Sequence, residues 1–151
     1  MDPAGAPDGP SPGRLKKFFM RTIGNFIWLV CGGLWSGVLW YVAGVVAALS
    51  IVGLPWARAC FLLGRFTLWP FGRELVDRRA LTGRGDLGTG WMGFLGNVIW
   101  FLCVGWTVAV AHLAGALASA VTIIGLPFAL QHLKLALASL APIGKEVVVL
   151  N

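Results

Sequence analysis

Charge is what this sequence most conspicuously lacks. Only 12% of its 151 residues are Asp, Glu, Lys or Arg, against about 25% in a typical soluble domain. No formally charged residue lies between Ile23 and Ala57, and between Leu87 and Leu133 only His112 and His132 could carry one. A run of roughly 18 apolar residues is long enough to cross a bilayer, and both stretches exceed that. A 16.1 kDa chain has too little polar residue left to cover two such segments in water. The composition therefore excludes an ordinary soluble domain.

Paired cysteines are missing as well. Cys31, Cys60 and Cys103 sit in apolar surroundings without C-x-x-C spacing, which excludes a zinc site or redox pair. They read as small buried hydrophobes. Carboxylates are few: beyond the first residues only Glu74, Asp77, Asp86 and Glu146 occur, all expected at or outside the membrane interface. There is no Ser/His/Asp set, no H-E-x-x-H, no P-loop and no intramembrane carboxylate pair. The expectation is a protein that is not an enzyme and holds no metal or cofactor.

What is present begins with a basic excess, a net charge of +6. Arg14, Lys16, Lys17 and Arg21 precede the first apolar run, Arg73, Arg78, Arg79 and Arg84 separate the two runs, and Lys145 follows the second. No nucleic-acid module accompanies them. Their expected partners are the anionic head groups of membrane lipid rather than nucleic acid. Residues 1–13, rich in Pro, Gly and Asp, are expected to form a disordered N-terminal tail. The apolar run that follows is too long for a signal peptide and has no small-residue cleavage site, so it reads as an uncleaved anchor.

The second feature present is a repeat. Shifting the chain by 72 residues lays Ile23–Val76 on Leu95–Val148 without a gap, with 19 of 54 positions identical. The matches include Asn25/Asn97, Trp28/Trp100, Gly53/Gly125, Pro55/Pro127 and Glu74/Glu146. Apolar segments share composition by chance, but they rarely share Asn, Trp, Pro and Glu in one register. The chain thus divides into a first membrane repeat (14–76), a basic cytoplasmic linker (77–92) and a second repeat (93–151).

The ordered series "IGNFIW", "SIVGLPWA", "PFGREL", repeated as "LGNVIW", "TIIGLPFA", "PIGKEV", resembles the YccF family of small bacterial inner-membrane proteins. The resemblance covers residues 21–148. The first copy departs at Arg58 and Arg65, where the second has Leu130 and Leu137, whereas Gln131 and Lys134 keep the family's form. It implies a location in the bacterial plasma membrane and carries no activity with it.

Each apolar run is interrupted by Gly-Leu-Pro. Proline restricts the residue before it and lacks an N–H. Gly53 and Gly125 can take the left-handed conformation that ends a helix, and Pro55 and Pro127 can open the next. The fold class expected is all-α: two tandem parallel repeats, each a long helix plus a short helix, about four membrane segments in all. The long segment, about 45 Å if straight, exceeds a hydrocarbon core of about 30 Å. The short one, about 22 Å, falls below it. If every segment crosses, the positive-inside rule puts the N-terminus, linker and C-terminus in the cytoplasm. A re-entrant first segment folded at Gly32-Gly33, with an interfacial second helix, satisfies the same rule.

Polar residues inside such segments are the functional candidates. Asn25, Asn97, Ser50, Thr122, His112, Arg58, Arg65, Gln131, His132 and Lys134 are candidates for a pore or polar path. The alternative reading of the asparagines is a structural bond to backbone, and of the cations, snorkelling to the head groups. The tryptophans suit interfacial belts. Arg73, Glu74, Lys145 and Glu146 form a repeated basic–acidic doublet, a candidate cytoplasmic gate or contact rather than only a solvated cap. Two functions follow. The first is a homo-oligomeric channel or transport pore for ions or small solutes. The second is a non-conducting scaffold or accessory subunit that binds another membrane protein or anionic lipid.

Overall fold

The computed structural model describes residues 11–150. The first ten residues of the expected tail lie outside them. The tail's last two, Pro12 and Gly13, form the first turn of helix α1 (Pro12–Trp28), where a proline loses no hydrogen bond. A five-residue π-helical stretch, Leu29–Gly33, joins α1 to α2 (Leu34–Leu49). A single 3₁₀ turn, Ile51–Gly53, leads to α3 (Leu54–Leu68). The second repeat copies this order with α5 (Trp91–Trp100), a π-helical stretch at Phe101–Gly105, α6 (Trp106–Ala120) and α7 (Leu126–Leu140). Short α4 (Arg78–Thr82) belongs to the linker. The expected all-α architecture holds, with Pro12–Leu49, Ile51–Leu68 and Trp91–Ala120 long and apolar enough to cross a membrane.

The glycines at the helix corners work differently from the sequence expectation. Gly53 and Gly125 are right-handed, with φ of −79° and −78°, not left-handed. They are needed for space: a Cβ at either would collide with the carbonyl oxygen of Ala47 or Ser119. Ser50 Oγ and Thr122 Oγ1 each accept a hydrogen bond from the glycine N–H, at 3.0 and 2.9 Å, which closes the corner. Pro55 and Pro127 do open α3 and α7 in the first turn.

The long segment of the first repeat turns before it reaches the end of its partner. Asn25 bonds to Phe71, while Gly37 faces Leu68. Twelve residues of straight helix rise about 18 Å, yet their partners, Leu68 at the end of α3 and Phe71 just beyond it, are three residues apart. The turn falls in the π-helical stretch, a common site of helix kinks. Gly32 takes φ 156° there, a conformation that favours glycine. The second repeat has a π-helical stretch at the matching place, with Val104 where the first has Gly32.

After α3 and α7 the chain makes a Pro-x-Gly turn, with Gly72 and Gly144 at φ 86° and 89°, and then enters a strand. Strand β1 (Arg73–Asp77) pairs antiparallel with β2 (Lys145–Val149). The helical reading did not contain this two-stranded ribbon. Its register pairs Leu75 with Val147, residues that are themselves 72 apart, and Arg73↔Val149 mirrors Asp77↔Lys145. An approximate two-fold axis therefore passes through the middle of the ribbon, and both repeats present their polar ends on one side.

Beneath the ribbon the core is made where α3 and α7 pass each other. One cluster holds Trp40, Cys60, Leu63 and Ala138, the other Trp28, Phe66 and Leu135, and Leu75 packs on both. Trp56 at the start of α3 donates to Gly96 O, 3.1 Å, next to Ile143 beyond the end of α7. Phe128 at the start of α7 packs on Phe71 beyond the end of α3. The two short helices thus run in opposite senses. The faces turned away, including Leu39, Val46 and Leu117, are exposed and apolar. In lipid such faces need no protein partner, because hydrocarbon is as apolar as leucine.

Candidate functional site

The polar candidates separate into four places. Asn25 is fully buried. Its Nδ2 donates to Phe71 O at 3.0 Å and its Oδ1 accepts from Phe71 N–H at 2.9 Å. Asn97 holds Ile143 in the same way, at 3.1 and 2.9 Å. Both amides clamp the turn between a short helix and its strand, so both have their polar atoms directed at backbone. Ser50 and Thr122 sit at the opposite ends of the hairpins, on their corner glycines.

Trp28 and Trp100 were expected in interfacial belts. Instead Trp28 is buried and donates Nε1–H to Thr67 O at 2.6 Å, and Trp100 donates to Ser139 O at 2.7 Å. These carbonyls lie in the last turn of α3 and α7, where helices leave acceptors unpaired. The exposed tryptophans are Trp35, Trp91 and Trp106.

The third place exists in one repeat only. His112 Nδ1 and His132 Nδ1 are 3.2 Å apart, so one donates and the other accepts. The first repeat has Trp40 and Cys60 at these positions. The His132 ring meets that of Trp28 at a tilt of 57°, with centroids 4.8 Å apart, and a small cavity of about 50 Å³ touches Trp28, Cys31 and His132. Gln131 beside it is buried, and its Oε1 has no partner among the described residues. Lys134, half-buried on α7, lies one turn further on.

The fourth place is the charged surface. Arg58 and Arg65 are exposed on α3. Arg58 reaches Glu146 at 3.8 Å, and the carbonyl of Arg65 accepts from Arg73 at 3.4 Å. The doublet residues Arg73, Glu74, Lys145 and Glu146 alternate along the two strands, and Lys145 meets Asp77 at 3.6 Å. In the linker, Arg78 grips Asp86 with two bonds of 2.6 and 2.8 Å. Asp86 also accepts from the N–H groups of Gly88 and Thr89. The hydrogen bond from Arg78, with those from Thr89, holds the Asp86 carboxyl well below the usual carboxylate range, and the same bond raises the Arg78 guanidinium. A carboxylate depressed on folding stabilises the folded form above its ordinary pKa and ceases to do so only as pH falls through the lowered value. The linker should therefore resist trypsin at Arg79 and Arg84 equally at pH 7 and pH 5. Asp86→Asn should be cut faster at both.

A cavity of about 520 Å³ opens between the start of α3, the linker end and the Pro142–Lys145 turn. Val52, Trp56, Leu62, Met92, Ile99 and Ile143 give it an apolar wall, and Arg58, Arg78 and Lys145 also line it. Nothing in the sequence pattern announces this site, because its walls come from both repeats and the linker. The asparagine clamps did have a signal: each Asn is followed at the same interval by Pro-x-Gly. Among the described residues no three His, Cys, Asp or Glu side chains are grouped to hold a metal.

The sequence model of the YccF family, described as an inner membrane component domain, matches residues 23–73 and 95–145. The Escherichia coli (strain K12) protein called inner membrane protein YccF is 33% identical over 132 residues, which cover 85% of this chain and 88% of that one. The protein of the same name from Shigella flexneri matches to the same extent. No solved structure matches. With a family domain in each repeat and such relatives spanning most of the chain, this protein belongs to the YccF family as a tandem pair of its membrane repeat.

Proposed function

We propose that this protein is a non-catalytic scaffold embedded in the bacterial inner membrane, with its ribbon, linker and termini in the cytoplasm. The carrying observation is that the polar side chains do not converge on a path. Asn25, Asn97, Ser50 and Thr122 bond to backbone at four separate corners, and Arg58 turns to Glu146. The basic residues of α1 and the linker favour the cytoplasmic side. The alternating charges of the ribbon offer a contact for a membrane-protein partner, and the apolar faces of α2 and α6 can meet lipid or a second copy.

The same ion pair bears on depth. Arg58 lies one turn from the hairpin corner and touches the ribbon, which supports α3 and α7 lying along the interface with the hairpins dipping into the bilayer. This is the re-entrant alternative in altered form, since the long segment bends at Gly32-Gly33 but the hairpin corner is at Gly-Leu-Pro.

Purified protein in liposomes should pass no more K⁺, Na⁺ or Cl⁻ than empty vesicles. An oligomeric channel is the second reading, favoured by the buried His112–His132 pair beside the unpartnered Gln131 Oε1. Ion flux above the empty-vesicle level that His132→Phe abolishes would establish the channel and remove the scaffold.

A further inference from the structure

We propose that the cavity between the start of α3 and the linker is a binding site for one anionic phospholipid. The acyl chain would lie on the wall of Val52, Trp56, Met92 and Ile143, with the phosphate head at Arg58 and Lys145. This deepens the scaffold reading by naming a lipid and its seat.

Three observations converge on that occupant. The first is charge: three cations line the cavity, and no carboxylate does. Arg78 is fixed by its two bonds to Asp86, so it shapes the rim. Arg58 and Lys145 are held only by long ion pairs of 3.8 and 3.6 Å, and Arg58 has 68% of its side chain exposed. The pair at exposed Arg58 contributes little, which leaves that cation able to turn to a phosphate, and Lys145, 27% exposed and 3.6 Å from Asp77, stands at the same rim.

The second is continuity with the lipid-facing surface. The cavity runs out past Val52 and Met92, which are 78% and 63% exposed, onto the apolar flank that hydrocarbon covers. An amphiphile whose tail lies on that flank and whose head lies at the ribbon matches the wall at both ends. The volume falls in the range of sites that hold small organic ligands, about 300–1,000 Å³.

The third is the comparison the duplication supplies. At the two-fold-related position Phe71 replaces Ile143, its ring 3.4 Å from a Cβ placed on Gly24 and 5.7 Å from the ring of Phe128. Leu130 replaces Arg58 there. One copy of the site pairs two phenyl rings, Phe71 and Phe128, and carries leucine. The other pairs the smaller Ile143 with Trp56 and carries a cation.

The test uses the full chain in detergent and native mass spectrometry, with phosphatidylglycerol and phosphatidylcholine of identical acyl chains. One phosphatidylglycerol should be retained, with phosphatidylcholine held at least about fivefold more weakly. Arg58→Gln should weaken phosphatidylglycerol by roughly fivefold, the effect of one surface cation on an anionic lipid, and leave phosphatidylcholine unchanged. Ile143→Phe, which copies the twin site, should abolish both while helicity is retained. Met92→Trp narrows the mouth from its exposed side, where no core has to repack, and should also weaken both. Equal retention of the two lipids by the unaltered protein overturns the proposal, as does undiminished binding by Ile143→Phe and Met92→Trp. Equal retention with no ion flux removes the site and leaves the scaffold. Selective retention with flux removes the scaffold and leaves the site.

Discussion

Replacing Asn25 with alanine will destabilise the folded protein by about 2–6 kcal/mol. The side chain is wholly inaccessible, and both ends of its amide are bonded to Phe71. Alanine strands the N–H and the carbonyl of Phe71 where the Asn25 side chain now excludes solvent. Each orphaned buried group costs about 1–3 kcal/mol, and two are created at once. Asn97→Ala should cost less, since Asn97 itself is only half-buried and water can enter where its amide was. Asn25→Asp should be no better than alanine, because it keeps the acceptor, loses the donor and adds a charge beside Phe71 O. Reversible unfolding in detergent micelles, followed by tryptophan fluorescence, gives the ordering directly. An Asn25→Ala protein as stable as the parent within about 0.5 kcal/mol, the range of surface substitutions, would show that the clamp does not hold the ribbon to the helices.

Cysteines placed at Ile51 and Ile123 will be protected from a membrane-impermeant maleimide on both sides of the bilayer. Leu49, Ile51 and Val52 at the first corner are 83%, 87% and 78% exposed, and Val121, Ile123 and Ile124 at the second are 85%, 87% and 78% exposed. Six large apolar side chains left open at two corners belong in hydrocarbon, since burying each from water is worth about 1.5–3 kcal/mol. Distance agrees. Arg58 touches the ribbon and is five residues from Gly53, about 8 Å of helix. A crossing needs about 30 Å, so a corner that close to the charged ribbon should stop inside the bilayer. The measurement needs a background with Cys31, Cys60 and Cys103 replaced by alanine, and Thr82→Cys as control. The control should label in inverted vesicles and stay unlabelled in intact cells. Labelling of Ile51→Cys or Ile123→Cys in intact cells would mean that the hairpins cross, as the four-segment arrangement has it.

Some of this was legible in the residues because it rests on local physics. Gly-Leu-Pro marks both corners, since a proline and a sterically excluded Cβ restrict the backbone wherever they occur. The bend at Gly32-Gly33 is visible for the same reason. The repeat was visible because Asn, Trp and Pro recur in one register. The ribbon was not: "RELVD" and "KEVVV" are too short to announce strands alone, and they pair only because the two-fold brings Leu75 opposite Val147. The role of Trp28 was hidden too, since a tryptophan near a membrane surface looks the same whether it faces lipid or bonds Thr67.

By itself, then, the sequence determined that the chain lives in a membrane, that it is a duplication, and where each copy breaks. The tertiary structure decided that α3 and α7 run in opposite senses, that a ribbon ties the repeats together, and that the asparagines hold turns rather than line a path. The reason lies in the solvent. In water an apolar stripe identifies the buried face of a helix, but in hydrocarbon the lipid and the core are equally apolar. Leu39, exposed, and Leu63, fully buried, therefore read alike until the packing separates them.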